Sequence, residues 1–77
     1  MKKILVKFES TEQVSLFTNT VLSDTDYKEV IEMFPFDNEA KVVCTPRLEA
    51  YNDYLLPSIV TALNDCGLSE AYYSELN

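Results

Sequence analysis

The spacing of apolar residues switches between a period of two and a period near 3.6 along this chain, and the order of the switches limits the fold more than any single motif. Residues 2–8 alternate, with Ile4, Val6 and Phe8 on one side and Lys3, Leu5 and Lys7 on the other, as in a half-buried strand. Ser10 or Thr11 can then cap a helix, because Gln13 stands three residues after Ser10 as in a capping box. Val14, Phe17 and Val21 give that helix its apolar stripe, widened by Leu16 and Leu22. Ser23-Asp24-Thr25-Asp26 ends it as a polar turn.

Residues 27–34 fit two patterns. Tyr27, Val30, Ile31 and Phe34 have helical spacing, whereas the Pro35-Phe36-Asp37-Asn38 turn and the strand-like residues 39–45 that follow suggest the first arm of a hairpin. An edge strand tolerates the inserted charges, so the reading adopted is an edge strand over residues 27–34. Residues 39–45 set Ala40, Val42 and Cys44 opposite Lys41, Val43 and Thr45, rich enough in β-branched residues for a central strand. Thr45-Pro46 is expected to open a second helix with the stripe Leu48, Tyr51, Leu55, Ile59, Leu63 and Cys66. Pro57 inside it should kink or split it near Leu56, and Gly67-Leu68 should stop it with a Schellman motif. Residues 69–76 form the last strand, where adjacent Tyr72 and Tyr73 must face opposite ways. Tyr73 is assigned to the face away from the helices.

Strand, helix, hairpin, helix and strand in that order give an α+β fold of the ferredoxin-like βαββαβ kind. Its four-stranded antiparallel sheet carries both helices on one face, with the first and third strands central. If residues 27–34 are helical, the outcome is instead a three-stranded sheet with three helices. A chain of 77 residues has room for one small domain, residues 1–77, with a thin core.

Thirteen acidic and six basic residues leave a net charge of −7. Lys2, Lys3 and Lys7 all precede Glu9, so residues 9–77 hold thirteen acidic against three basic residues, a balance of −10. A surface of that sign repels nucleic-acid phosphate and anionic lipid and attracts basic protein, so neither direct nucleic-acid binding nor membrane binding is expected. The opening residues are too short an apolar run for a signal peptide, and nothing approaches a membrane span, which points to the cytoplasm. Cys44 and Cys66 lie far apart without a CxxC pair, and both read as reduced, buried thiols.

Catalysis finds little to work with. There is no His to act as base, one Gly cannot build a phosphate cradle, and no cysteine has a base beside it in sequence. Ferredoxin-like proteins that bind phosphates or carry metals need a basic or a thiol-bearing first loop, and this one is Glu9-Ser10-Thr11-Glu12. No enzyme activity, cofactor or metal is expected.

What remains is charge and tyrosine. Asp24, Asp26, Glu29 and Glu32 crowd nine residues, Glu49 and Asp53 stand one helical turn apart, and Tyr54 and Tyr73 exceed what so small a core can bury. These eight are the candidate partner-binding residues of an acidic, non-enzymatic protein that is expected to inhibit or regulate another protein by occupying its basic surface, a nucleic-acid-binding groove being one example. In size and charge, though in no motif, the chain resembles the small acidic proteins with which phages and mobile elements block host enzymes. The competing reading is a small dimeric regulatory domain that binds a metabolite between subunits; monomer and homodimer are both compatible with the sequence. Lys3, Lys7 and Lys41 share the face away from the helices, but a nucleic-acid platform there lacks aromatics on the central strands.

Overall fold

The computed structural model describes residues 1–76. Its strands are β1 (Lys3–Lys7), β2 (Ile31–Pro35), β3 (Lys41–Pro46) and β4 (Tyr72–Leu76), and its helices are α1 (Thr11–Ser23), α2 (Thr25–Val30) and α3 (Asn52–Asp65). A 3₁₀ turn at Glu49–Tyr51 leads into α3. The strands form one antiparallel sheet in the order β2-β3-β1-β4, with the two most apolar strands in the middle. This is an α+β fold with four strands and three helices, compatible with a ferredoxin-like arrangement.

Alternation in β1 and β3 decides which face is covered. Register pairs Ile4 with Cys44 and Val6 with Val42, and all four side chains are buried. Against them α1 lays Val14, Phe17 and Val21, and α3 lays Leu55, Ile59, Ala62 and Leu63. Phe8 and Phe17 meet as tilted rings with centroids 5.4 Å apart, an arrangement that adds to their burial. Leu16 and Leu22 do not widen the α1 stripe as expected; they lie outside its arc and are exposed. Ser10 caps the helix, its Oγ accepting from the Gln13 N–H at 3.3 Å, while Gln13 Oε1 accepts from the Glu9 N–H at 2.9 Å.

Residues 27–34 are neither one strand nor one helix. Tyr27 to Val30 is helical within α2, and Ile31 to Phe34 is strand within β2, with no turn residue between them. Ile31 is at once the C-cap of α2, its N–H bonding the Tyr27 carbonyl, and the first residue of the ladder to β3. The mixed periodicity is thus two short signals joined end to end. Tyr27 and Val30 pack on the core from the helix, and Ile31 and Met33 pack on it from the strand. The edge strand therefore exists beside β3, as expected, but starts four residues later, and the fold has both the fourth strand and the third helix. Asn38 turns the hairpin with a φ of 61°, a left-handed conformation that Asn tolerates.

Both helix expectations near prolines need correction. Pro46 does not open a helix: it is the buried last residue of β3, opposite Ile31. Continuing the β1–β3 register would place Lys2 opposite Pro46, which has no N–H to give the ladder, and Lys2 instead donates its own N–H to Asn52 Oδ1 at 3.0 Å. The β1 ladder stops short of Pro46, and the Lys2 N–H holds the start of α3. Pro57 does not split α3, which runs unbroken through it, and the irregular turn falls earlier, at Glu49–Tyr51. Gly67 stops α3 as expected, with a φ of 76° and the Leu68 N–H bonded to the Leu63 carbonyl at 2.8 Å. The last strand is shorter than residues 69–76, because the Ala71 N–H turns back to the Leu68 carbonyl at 3.0 Å before β4 begins.

Candidate functional site

The acidic candidates divide between two surfaces. Asp24 has a structural task, since its side chain accepts from the Asp26 N–H at 2.9 Å and caps α2. Asp26 and Glu29 lie exposed on α2, Glu49 starts the 3₁₀ turn, and Asp53 sits in the first turn of α3 beside Tyr54, which is 61% exposed. Arg47 joins these elements. Its N–H bonds the Val30 carbonyl at 2.9 Å and its Nε–H bonds the Lys28 carbonyl at 2.5 Å, clamping the end of α2 to the β3–α3 connection. A shallow hollow of about 710 Å³ lies between them, bordered by Lys28, Glu29, Leu48 and Tyr51. Tyr51 and Tyr54 pack edge to face with centroids 6.4 Å apart, and Tyr54 and Leu48 are both exposed.

These carboxylates are left without cations. Among the described residues the one ion pair joins Lys41 Nζ to Glu39 Oε2 at 3.4 Å, so Asp26, Glu29, Glu49 and Asp53 have no basic group within 4 Å. On the other side of α2, the Tyr27 hydroxyl donates to Asp65 Oδ2 and ties α2 to the end of α3. That hydrogen bond, then loss of water, then the charges of Asp65, Asp24 and Asp26 push the Tyr27 phenol up to about 12.

Glu32 and Tyr73 do not join this group. Glu32 faces Thr45 across β2 and β3 on the sheet face that no helix covers. Tyr73 pairs with Val6 and so lies toward the helices at the β4 edge, not on the open face assigned to it. It is Tyr72, opposite Lys7, that occupies the open face, with Lys7 Nζ 5.5 Å from its ring centroid. Phe34 faces Val43 on the same side. Reading residues 27–34 as one strand hid it: alternation counted from buried Ile31 puts Glu32 and Phe34 outward.

No family model, curated protein or solved structure matches this chain. Its chemistry is therefore argued from these surfaces. Burial pushes the Cys44 thiol up to about 12 and raises that of Cys66 as well, which keeps both protonated and poorly nucleophilic near neutral pH. Among the described residues no three His, Cys, Asp or Glu side chains converge on a metal-sized space. Among the described residues no helix is long and apolar enough to cross a membrane.

Proposed function

We propose that this is a non-enzymatic binding protein whose surface around α2 and the start of α3 engages a basic surface of another protein and thereby regulates or inhibits it. The scaffold on this reading is a ferredoxin-like βαββαβ unit with α2 inserted before its second strand, a reading the central position of β1 and β3 supports. The observation that carries the functional reading is the set of unpaired carboxylates, Asp26, Glu29, Glu49 and Asp53, interleaved with exposed Leu48 and Tyr54. Carboxylates without partners steer a cationic surface toward them, and an exposed tyrosine beside them supplies the ring that anchors a contact once made. Arg47 gives this surface rigidity by holding α2 against the β3–α3 connection.

The test is capture from extracts of the source cell on immobilised protein, at about 50 mM and about 300 mM salt. A basic protein retained at the lower concentration and released at the higher is expected, because exposed charge contacts weaken as the Debye length contracts to about 10 Å and below. Reversing Glu29 and Glu49 to Lys together should abolish retention through a slower on-rate, whereas Asp24→Asn, which keeps an N-cap, should reduce it only slightly. Failure to retain any basic protein, or retention indifferent to salt and to the double reversal, would remove the proposal.

A further inference from the structure

The open sheet face carries the opposite chemistry. Register lines up Phe36, Lys41, Lys7 and Tyr72 across the sheet: Lys7 pairs with both Lys41 and Tyr72, and the Phe36 N–H reaches the Lys41 carbonyl at 3.1 Å. The next row is Phe34, Val43, Leu5 and Ser74, and the row beyond it contains Glu32, Thr45, Lys3 and Leu76. Tyr72, Phe34 and Phe36 are 59%, 52% and 44% exposed. Aromatics thus flank a cationic centre from the two edges of the sheet. A recess of about 530 Å³ opens beyond Tyr72 at the end of the sheet, where Lys7 and Gln13 share its rim with the carboxylates Glu9 and Glu70.

We propose that this face binds single-stranded nucleic acid, with bases stacked on Tyr72 at one edge and on Phe34 and Phe36 at the other. The intervening phosphates lie on Lys7, Lys41 and Lys3. Like charges directly opposite each other in a sheet are unfavourable, and Lys7 faces Lys41 in register, so an anion set between them relieves a repulsion the fold alone does not need. Stacking tolerates any base because every base has a π-face, and a flat sheet with splayed aromatics suits bases freed from a duplex. The two edge strands stand about 14 Å apart at ordinary strand spacing, a span for a few nucleotides.

A second copy of the chain fits less well. Face-to-face packing would bring the lysines of one copy against those of the other, and that like-charge contact disfavours it. The net charge of −7 does not cancel the local field. The molecule is 20 Å across its shortest dimension, and at physiological salt the charges behind the sheet are screened over about 8 Å. Glu39, paired with Lys41, and Glu32 are the carboxylates that compete on this face, and Glu9 and Glu70 add theirs at the recess beside Lys7 and Tyr72.

The inference stands apart from the basic-partner reading, since it uses the other side of the molecule. It is tested by fluorescence anisotropy of labelled dT10 and U10 against the full chain, with a hairpin duplex and poly-glutamate as competitors. Contact with two or three phosphates should weaken binding about tenfold between 50 and 200 mM salt. Lys7→Glu and Tyr72→Ala should each weaken it tenfold or more, Tyr72→Phe should bind as the parent does, and Glu39→Gln should bind more tightly. Reversal of Glu29 and Glu49 should leave binding intact, which separates the two proposals. Absence of binding at 50 mM salt overturns the inference, as does equal binding of duplex. Displacement by poly-glutamate as effective as by unlabelled dT10 also overturns it, and would assign the face to acidic peptide.

Discussion

Leu5 and Val6 are neighbours in β1, yet they belong to two different proteins in the chemical sense. Val6 is fully buried between Val42 and the helices, and Leu5, one residue earlier, lies beside Val43 on a face no helix covers. The buried side chains of the covered face are apolar, with no charged one among the described residues, while the open face mixes aliphatic, aromatic and charged groups. Stability is concentrated on one side of a single sheet, which leaves the other side free to carry groups that do nothing for folding. The acidic rim at α2 and α3 makes the same point from the helical layer, since its carboxylates are neither buried nor paired.

The sharpest way to break this contrast is to empty one face at a time. Phe17→Ala removes a fully buried ring that packs on Phe8, and should cost about 3–5 kcal/mol. A chain of this size is stable by only about 4–12 kcal/mol, so urea denaturation should find the variant's midpoint lowered by at least a quarter of the parent's. Tyr72→Ala on the open face should shift the urea midpoint by far less, about 0.5 kcal/mol or under. Comparable losses from the two would mean that the open face also holds the fold.

Alkaline pH should act on the covered side. Cys44 is raised from 9.0 to about 12 by burial, and Tyr27 from 10.0 to about 12, chiefly by its bond to Asp65. Both groups keep their protons longer folded than unfolded. Their contribution to stability is therefore whole below about pH 9 and is lost as pH rises toward 12, because the unfolded chain releases protons first. Urea midpoints between pH 8 and 11 should fall in the parent and fall less steeply in Cys44→Ala and in Tyr27→Phe. A slope unchanged in both variants would place the alkaline sensitivity elsewhere.

How much of this was readable in the sequence depended on whether one period filled a window. Residues 2–8 and the Val14, Phe17, Val21 stripe each run long enough in one period to fix the strand, the helix and the inward face. Residues 27–34 do not, because a six-residue helix passes into a five-residue strand at Ile31 with no breaker, and each signal is half a window long. Pro46 misled for a different reason: proline suits the first turn of a helix and also the end of a strand, and only its pairing with Ile31, fifteen residues earlier, decides between them. The acidic residues were legible as a composition but not as a surface. Contacts between distant segments, through Arg47 above all, determine that Glu29 borders one hollow with Leu48 and Tyr51 while Glu32 turns to the open face.

Asp24 sharpens the contrast within the acidic set. As the N-cap of a helix of only six residues it should cost about 1 kcal/mol when changed to Ala, and almost nothing when changed to Asn, which caps as well. Thermal melts on the two variants separate the structural use of that carboxylate from its charge. Equal losses would show that charge near the α2 terminus, and not the cap, is what Asp24 supplies.

The smallest expected effect bears most directly on the open face. Lys7→Glu should leave stability within about 0.5 kcal/mol of the parent, because two changes nearly cancel. The substitution replaces a cation–cation pair with an attractive one opposite Lys41, a gain of a few tenths of a kcal/mol, and loses the cation held 5.5 Å from the Tyr72 ring, worth about as much at an exposed site. Folding thus gives no reason to prefer lysine at this position, although it is the residue that links Lys41 and Tyr72 into one row. If urea denaturation finds a loss above about 1 kcal/mol, Lys7 is there to hold the sheet, and its place between two aromatic edges loses its value as a sign of an anionic ligand.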